Sequence, residues 1–381
     1  MLLLKSIPPI EREQEKGSGR GMEIIKEKIN LLVTSFEKIL YDEDDIFLKN
    51  METKNLAGDS AERYRYWEWT QGVGLFGLWK IYEETGDEEF IEKLEKYYER
   101  QMNIGLPARN VNTTTPLLAL TYLAEKNGNE IYMNICREWA AWLVNGLPRT
   151  EEGGFQHLTS DTLNEQELWD DTLFMTVLFL ARMGKLENNQ AWIDEAQYQF
   201  LLHVKYLADR KTGLWYHGWT FHGNHNFAGA FWGRGNSWIT MAIPELFGII
   251  DCDESVKRYL TEALNAQVKE LVKYQSEGGM WHTVINDTDS YVEASATCGI
   301  GYGILKAAHL GLVDPSYEEY ARKALAPVLE CIDEEGVLHQ VSYGTPMGRE
   351  TIQFYKDIEL RPMPYGQAMA MLFLLEASKQ N

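Results

Sequence analysis

Apolar residues recur along most of the chain with the spacing of an α-helix. Within residues 22–41, for example, Ile25, Ile29, Leu32 and Phe36 fall on one helical face while charged residues occupy the other. No run of strict two-residue alternation persists anywhere in the sequence. The pattern therefore predicts a mostly helical protein with few strands.

The predicted helices are of two kinds, which alternate. The nearly all-apolar segments are 72–82, 116–124, 171–183, 237–250, 294–310 and 366–377. The amphipathic segments are 22–41, 88–102, 129–144, 189–208, 255–274 and 316–332. A helix that is apolar all round is buried on every side, whereas an amphipathic helix faces water on one side. Two concentric rings of six helices satisfy both kinds, so we predict an all-α (α/α)₆ barrel.

The competing architecture is an open helical-repeat solenoid, whose repeats would have a regular length. Here the spacing between the apolar helices is irregular because the loops vary, and irregular loops on a regular scaffold are typical of a site built on one face. We expect residues 1–20, which are polar and contain glycine, to form a flexible arm. Residues 21–381 would form a single barrel domain.

Charge and composition exclude several functions. The net charge of −21 repels nucleic acid and anionic membranes, and an acidic ligand would need a local cation in its pocket. There is no C-x-x-C pair, phosphate-binding loop or H-E-x-x-H, so we predict neither metal nor cofactor. The leading apolar run ends at Lys5, and no stretch is long enough to span a bilayer, which predicts a cytoplasmic protein. The 12 Trp and 20 Tyr suit either core packing or stacking against sugar faces.

Four loops share a pattern of a glycine turn, a short extended apolar piece and a histidine. The histidines are His157, His217, His282 and His339, and a buried helix begins after each. We therefore place these loops at the rim where the inner helices start. For His217, which stands among Trp and Tyr, we favour a role in the site; for His339 we favour a simple turn contact.

Two carboxyl groups stand out from the many solvated ones. Asp170 and Asp171 precede the apolar residues Phe174 and Met175 and follow Trp169. Apolar surroundings raise the pKa of a carboxyl toward the range of a general acid. Helix capping explains Asp170 well, but explains Asp171 less well because we expect the helix to be under way there. Asp171 is therefore the candidate catalyst.

Arg234 lies between two glycines and is flanked by Trp232 and Trp238. Such an arginine is either the anchor of a salt bridge or a planar fork for a ligand carboxylate. Trp69 and Asn112 lie where the first two inner helices begin, so both can reach the same cavity.

These residues resemble a known family. The chain is similar to the unsaturated rhamnogalacturonyl hydrolases, family 105 of the glycoside hydrolases, and more distantly to the unsaturated glucuronyl hydrolases of family 88. The resemblance runs from about Tyr66 to about Leu375. It rests on four motifs in the family's order: residues 153–157 (GGFQH), 169–175 (WDDTLFM), 216–219 (YHGW) and 232–238 (WGRGNSW).

The resemblance implies the (α/α)₆ fold, a site and a reaction. It places the catalyst at Asp171 and the substrate-binding residues at Trp69, Asn112, His157, Trp169, Met175, His217, Arg234 and Trp238. Asn112 is a departure, since the family typically carries an acidic residue there. The implied reaction releases a 4,5-unsaturated uronic acid from pectin-derived or rhamnogalacturonan-derived oligosaccharides by hydrating the C4=C5 double bond.

Two other classes of function stay open at this point. Another (α/α)₆ sugar enzyme, an epimerase or an inverting glycosidase, would need a different site; an inverting enzyme needs two separated carboxylates, for which Glu68 and Glu293 are candidates. A non-catalytic carbohydrate-binding protein would give no reason for a buried aspartate among aromatic residues. The sequence indicates neither the oligomeric state nor the sugar beside the unsaturated uronate.

Overall fold

The computed structural model describes residues 9–41, 49 and 52–379. Its inner helices are α2 (Trp69–Thr85), α4 (Pro116–Asn127), α6 (Leu178–Leu186), α8 (Gly233–Ile249), α10 (Ala294–His309) and α13 (Pro364–Ser378). The outer helices are α1 (Pro9–Ile39), α3 (Glu89–Ile104), α5 (Glu130–Asn145), α7 (Gln190–Leu207) and α9 (Glu254–Leu271), followed by the paired segments α11 (Glu318–Lys323) and α12 (Leu325–Glu330). Short helices cover Ala61–Arg65, Val111–Thr114 and Gln353–Lys356, and a wider π-helical turn, Leu173–Val177, leads into α6.

The inner helices form a closed ring. Each packs on the next in chain order, and α13 packs back on α2. The glycines of α10 bring two of them into close contact: a Cβ on Gly303 would lie 2.4 Å from the Thr240 backbone of α8, and one on Gly299 would lie 2.7 Å from Ser237. The closed ring confirms the predicted barrel and excludes the open solenoid.

The N-terminal region differs from the prediction. Helix α1 begins at Pro9, so residues 9–20 are helical rather than an irregular arm. Their glycines suggested a break, but the intervening Glu, Arg, Gln and Lys are good helix formers, and the helix continues through them. Residues 1–8 of the predicted arm lie outside the described residues.

The rim loops pair through short β contacts. Isolated bridges join Arg149 to Phe155, Ala208 to Trp215, His282 to Val292 and Ile332 to Leu338. Two strands, β1 (Glu167–Trp169) and β2 (Gly218–Thr220), pair antiparallel with Trp169 opposite Gly218. This ladder brings two of the sequence motifs together at the end of the barrel where the inner helices begin, which we call the mouth.

Two further predictions can be compared with the fold. Cys136 and Cys298 are buried core residues as expected, and all four cysteines are free. Within residues 9–41, 49 and 52–379, we find no helix with the length and apolar character needed to traverse a bilayer.

Candidate active site

The β1–β2 ladder positions the two aspartates. Strand β1 ends at Trp169, and the helical turn begins only at Leu173, so Asp170 and Asp171 both lie in the turn between them. The expectation that the helix is already under way at Asp171 was wrong, because the chain must first leave the strand. The Asp170 amide donates a hydrogen bond to the His217 carbonyl at 2.9 Å, which fixes the turn against β2.

A cavity of about 190 Å³ opens beside this turn at the mouth. Seven of the nine predicted site residues line it: Trp69, Asn112, His157, Trp169, Asp171, Arg234 and Trp238. The other two do not: Met175 is part of the hydrophobic core, and His217 is buried behind the aspartates. Four loop residues that we did not predict, Thr159, Asp161, Thr162 and Asn164, join the lining, together with Trp232 and residues 344–346.

Asp171 has the environment of a proton donor. Its side chain is 18% exposed, and its Oδ1, 3.5 Å from Nδ1 of His157, accepts no hydrogen bond from a described residue. Burial disfavours the charged carboxylate, and Arg234 offsets this only in part, so the pKa of Asp171 rises to about 7. At neutral pH a large fraction of the molecules therefore carries this proton.

Asp170 is fully buried behind Asp171. Neither of its oxygens accepts a well-formed hydrogen bond, so the predicted helix-capping role is not realised. Burial and the neighbouring Asp171 carboxyl raise its pKa well above the ordinary value. A Cβ on Gly235 would lie 2.1 Å from Asp170 Oδ2, so only glycine at this position leaves room for the carboxyl.

The two histidines beside the aspartates are neutral. Burial lowers the pKa of His157 to about 3, and burial likewise lowers the pKa of His217 well below its ordinary value. His157 stacks on Trp169 with ring centres 4.3 Å apart, and its Nδ1 lies 2.7 Å from Thr172 Oγ1. Neutral imidazoles add no positive charge that would favour ionisation of Asp171.

Tyr355 determines the tautomer of His217. The Tyr355 hydroxyl accepts a hydrogen bond from the Gly348 amide at 3.1 Å, and lies 2.7 Å from His217 Nδ1. We assign its proton to that nitrogen, since the alternative acceptor, Met347 Sδ, is weak and 3.8 Å away. Nε2 of His217 then carries the ring proton, and one nitrogen of this ring lies within 4.8 Å of a carboxylate oxygen of each of Asp170 and Asp171.

Of the two roles that the sequence left open, the structure shows Arg234 in the first, as the anchor of a salt bridge. It is buried, its Nη1 lies 3.6 Å from Glu293, and its Nη2 donates to Thr345 Oγ1 at 2.8 Å. The guanidinium also lies over the rings of Trp232 and Tyr365. It is a salt-bridge anchor that also forms part of the cavity wall, and its Nε has no hydrogen-bond partner among the described residues.

Aromatic rings form another wall of the cavity. Trp69 stacks on Tyr365 with centres 4.7 Å apart and meets Trp238 edge to face at 6.1 Å. Both tryptophans also pack against core residues, so their orientation is fixed before any ligand arrives. Flat, rigid faces of this kind suit the apolar face of a sugar ring.

Glu68 is a second buried carboxyl near the cavity. It accepts a hydrogen bond from Ser160 and interacts with the Asn112 side chain, while Ser160 accepts from Asn110 at 3.0 Å. Burial raises the pKa of Glu68 to about 7. Glu68 thus joins the starts of α2 and α4 to the 159–164 loop, and neither Glu68 nor Glu293 lines the cavity.

Asp170, Asp171 and His217 also meet the geometric requirements for a metal site. Each offers one ligand atom, and these atoms lie within 4.8 Å of one another. The prediction that the protein needs no metal therefore remains a prediction, to be tested by chelation.

The sequence profile of Glycosyl Hydrolase Family 88 matches residues 42–381. The chain belongs to this family. It is 30% identical over 82% of its length to the unsaturated rhamnogalacturonyl hydrolase YesR of Bacillus subtilis, and the match covers 90% of that protein. It is therefore a glycoside hydrolase, as its resemblance to families 105 and 88 predicted.

Two solved structures support the same placement. One, from Salmonella enterica serovar Paratyphi A, is described as a possible member of family 105; it is 43% identical, with a TM-score of 0.84 and coverage of 92% of this chain and 93% of that one. A second possible member, from Klebsiella pneumoniae, is 40% identical, with a TM-score of 0.84 and coverage of 99% and 95%.

Proposed function

We propose that this enzyme releases a 4,5-unsaturated uronic acid from the non-reducing end of oligosaccharides derived from pectin or rhamnogalacturonan. The similarity to an unsaturated rhamnogalacturonyl hydrolase supports the substrate class. The observation that carries the chemistry is Asp171, a carboxyl of raised pKa in the cavity wall with neutral histidines beside it. The substrate's C4=C5 bond is a vinyl ether, which reacts by taking up a proton.

The reaction adds one water molecule in steps that one carboxyl can serve. Protonated Asp171 donates its proton to C4, and positive charge develops at C5 and the ring oxygen. Water then adds at C5 while the Asp171 carboxylate takes a proton from it. The resulting hemiketal at C5 opens to a ketone, which leaves a hemiacetal at C1. Collapse of this hemiacetal breaks the bond to the remaining sugar and releases it. Because Asp171 ends protonated, the cycle can repeat, and such a general acid–base contributes about 10²–10⁴-fold.

The other residues bind and orient the substrate in this proposal. Trp69, Trp169 and Trp238 hold the sugar ring, and the Arg234 guanidinium binds the uronate carboxylate. Glu293 already neutralises much of the Arg234 charge, so this contact selects the carboxylate by geometry more than by net charge. His217 acts from behind the carboxyl pair through its Nε2 proton rather than by touching the sugar.

The substrate's own chromophore provides the test. The protein and its Asp171→Asn variant are mixed with unsaturated disaccharides from rhamnogalacturonan lyase and pectate lyase digests, and the ultraviolet absorbance of the conjugated double bond is followed. We expect absorbance to fall with the wild type only, and the relative rates rank the two substrates. An unchanged absorbance with every unsaturated uronide would overturn the proposal.

The same assay separates the alternatives. An inverting glycosidase would cleave the glycosidic bond and leave the double bond intact; it needs a second carboxylate, and Asp161 is the other acidic residue in the described lining. Loss of absorbance excludes that mechanism, an epimerase and a non-catalytic sugar-binding protein together. A cytoplasmic location and the lack of nucleic-acid and membrane partners remain predictions from the sequence.

A further inference from the structure

A groove of about 540 Å³ lies on the outer wall of the barrel, separate from the active-site cavity. Its two sides are the C-terminal part of α7 and one face of α9, and residues 209–213 close one end. None of its lining residues belongs to the lining of the active-site cavity.

The groove is built from closely packed backbone. Gly213 adopts φ +83°, and a Cβ there would lie 2.7 Å from the Ala266 carbonyl carbon of α9, so the loop rests directly on the helix. Asp209 fixes the loop by accepting hydrogen bonds from the Thr212 amide at 3.0 Å and the Thr212 hydroxyl at 2.7 Å. The cleft thus has a fixed shape.

The charges around this groove contrast with the rest of the molecule. Five cations line it, Lys205, Arg210, Lys211, Lys269 and Lys273, against the three acidic residues Asp209, Glu262 and Glu270. The chain as a whole has 36 basic and 57 acidic residues. A locally basic cleft on a strongly acidic protein attracts anions that the rest of the surface repels.

Three of these cations are free to meet a ligand. Lys205 pairs with Glu152, and Lys273 pairs with Glu270. Arg210, Lys211 and Lys269 form no ion pair with any residue that the structure describes, and all three are exposed. Tyr259 lies in the same lining with 49% of its surface exposed, so the groove carries an aromatic face as well as unpaired charges.

The groove lies at the same end of the barrel as the active site. Inner helices begin at the mouth, so the outer helices that precede them end there, and the groove takes in the last turns of α7 and α9. The loop that closes it continues through Leu214 and Trp215 to His217 of the site.

We propose that this groove is a second binding site, for an internal segment of an anionic, uronate-bearing oligosaccharide or polysaccharide. Lys and Arg bind sugar carboxylates, and an exposed tyrosine stacks on a pyranose face. The anionic character of the ligand follows from the cations alone, whereas its being a sugar rests on the proposed function. Binding here would hold acidic chains near the mouth of a protein whose net charge otherwise repels them.

The experiment measures binding of polygalacturonate by titration calorimetry, using the Asp171→Asn protein with its active site saturated by an unsaturated disaccharide. The groove variant Arg210→Glu/Lys211→Glu/Lys269→Glu should bind at least about tenfold more weakly, and added salt should weaken binding by the parent protein. Tyr259→Ala, which keeps every charge, should weaken binding more modestly. The matched control is Lys185→Glu/Lys257→Glu/Arg258→Glu, which makes the same charge change at exposed cations outside the groove.

Three outcomes would overturn the site: no binding by the parent protein, equal weakening in groove and control variants, or equal binding of a sulfated polyanion that lacks uronate. In an otherwise wild-type background, the groove variant should hydrolyse unsaturated disaccharides at the unaltered rate. That measurement separates the two proposals, because failure of the hydrolase assay leaves groove binding measurable and loss of groove binding leaves disaccharide hydrolysis intact.

Discussion

A buried carboxyl has a raised pKa at one end of the barrel and a lowered pKa at the other. At the mouth, burial raises the pKa of Asp171 to about 7, and Arg234 opposes this only in part. At the other end, burial also disfavours ionisation of Glu245, but Lys306 and Lys80 outweigh it and lower the pKa of Glu245 to about 2. Arg234 and Glu245 stand on the same helix, α8, about 16 Å apart at 1.5 Å per residue.

The difference lies in the partners rather than in the burial. Glu245 contacts two lysines and accepts a hydrogen bond from Tyr302, so its charge is satisfied and stabilises the structure. Asp171 has one cation nearby, already shared with Glu293, and an unpartnered oxygen. A carboxyl with too few partners retains its proton, and this is what a general acid requires.

The largest effect should come from Asp171→Asn. The amide has the same shape but no transferable proton, so we expect the hydration rate to fall by about 10²–10⁴-fold or more while the melting temperature stays close to that of the wild type. Steady-state kinetics and thermal unfolding measure the two. The control is Asp161→Asn, the other acid of the lining; a rate for Asp171→Asn within about tenfold of wild type would exclude Asp171 as the catalyst.

Glu245→Gln should show the reverse pattern. It leaves Lys306 without its paired anion and Lys80 with only the exposed Glu83, which costs about 3–5 kcal/mol of unfolding free energy, while the folded fraction keeps its kcat. Urea denaturation measures the loss. Glu138→Gln removes the exposed partner of Arg109, whose side chain is 35% exposed, and should cost at most about 1 kcal/mol. Equal losses in the two variants would contradict the comparison.

The two ends should also respond to different pH ranges. Because Asp171 must be protonated, kcat/KM should fall as pH rises through about 7. The same raised pKa means that stability contributed by Asp171 is present below pH 4 and is lost as pH rises through about 7. Glu245 has a lowered pKa, so its stabilisation is present above about pH 4.5 and is lost as pH falls toward 2. Glu245→Gln should abolish the loss of stability toward pH 2 and leave the pH dependence of kcat/KM unchanged.

The smallest effect should come from metal removal. A cation bound by Asp170, Asp171 and His217 would require Asp171 to be deprotonated, which conflicts with its role as an acid. We therefore expect dialysis against a chelator to leave kcat/KM unchanged. Activity that is lost on chelation and restored by zinc or manganese would instead make these three residues a metal site.

The sequence alone determined the scaffold and seven of the fifteen residues that line the cavity. Helix periodicity depends on residues three or four positions apart, so short windows of sequence reveal each helix. The alternation of apolar and amphipathic helices then predicts the two rings. The predicted start of the first helix at residue 22 was wrong, because the glycines of 9–20 do not interrupt the helix formers between them. The resemblance to the family predicted Asp171, Arg234 and the three tryptophans as site residues, and in the structure all five line one cavity.

The tertiary structure alone decided how those residues are tuned. Tyr355 reaches His217 across 138 residues, and Ser342 reaches Arg234 across 108. No local pattern predicts such pairs, because these segments meet only when the ring of inner helices closes. The pKa of Asp171 depends on the low dielectric of that closed mouth and on how much of the Arg234 charge Glu293 takes up. The sequence determines which titratable side chains the protein carries, and closure of the helical ring decides which of them are protonated.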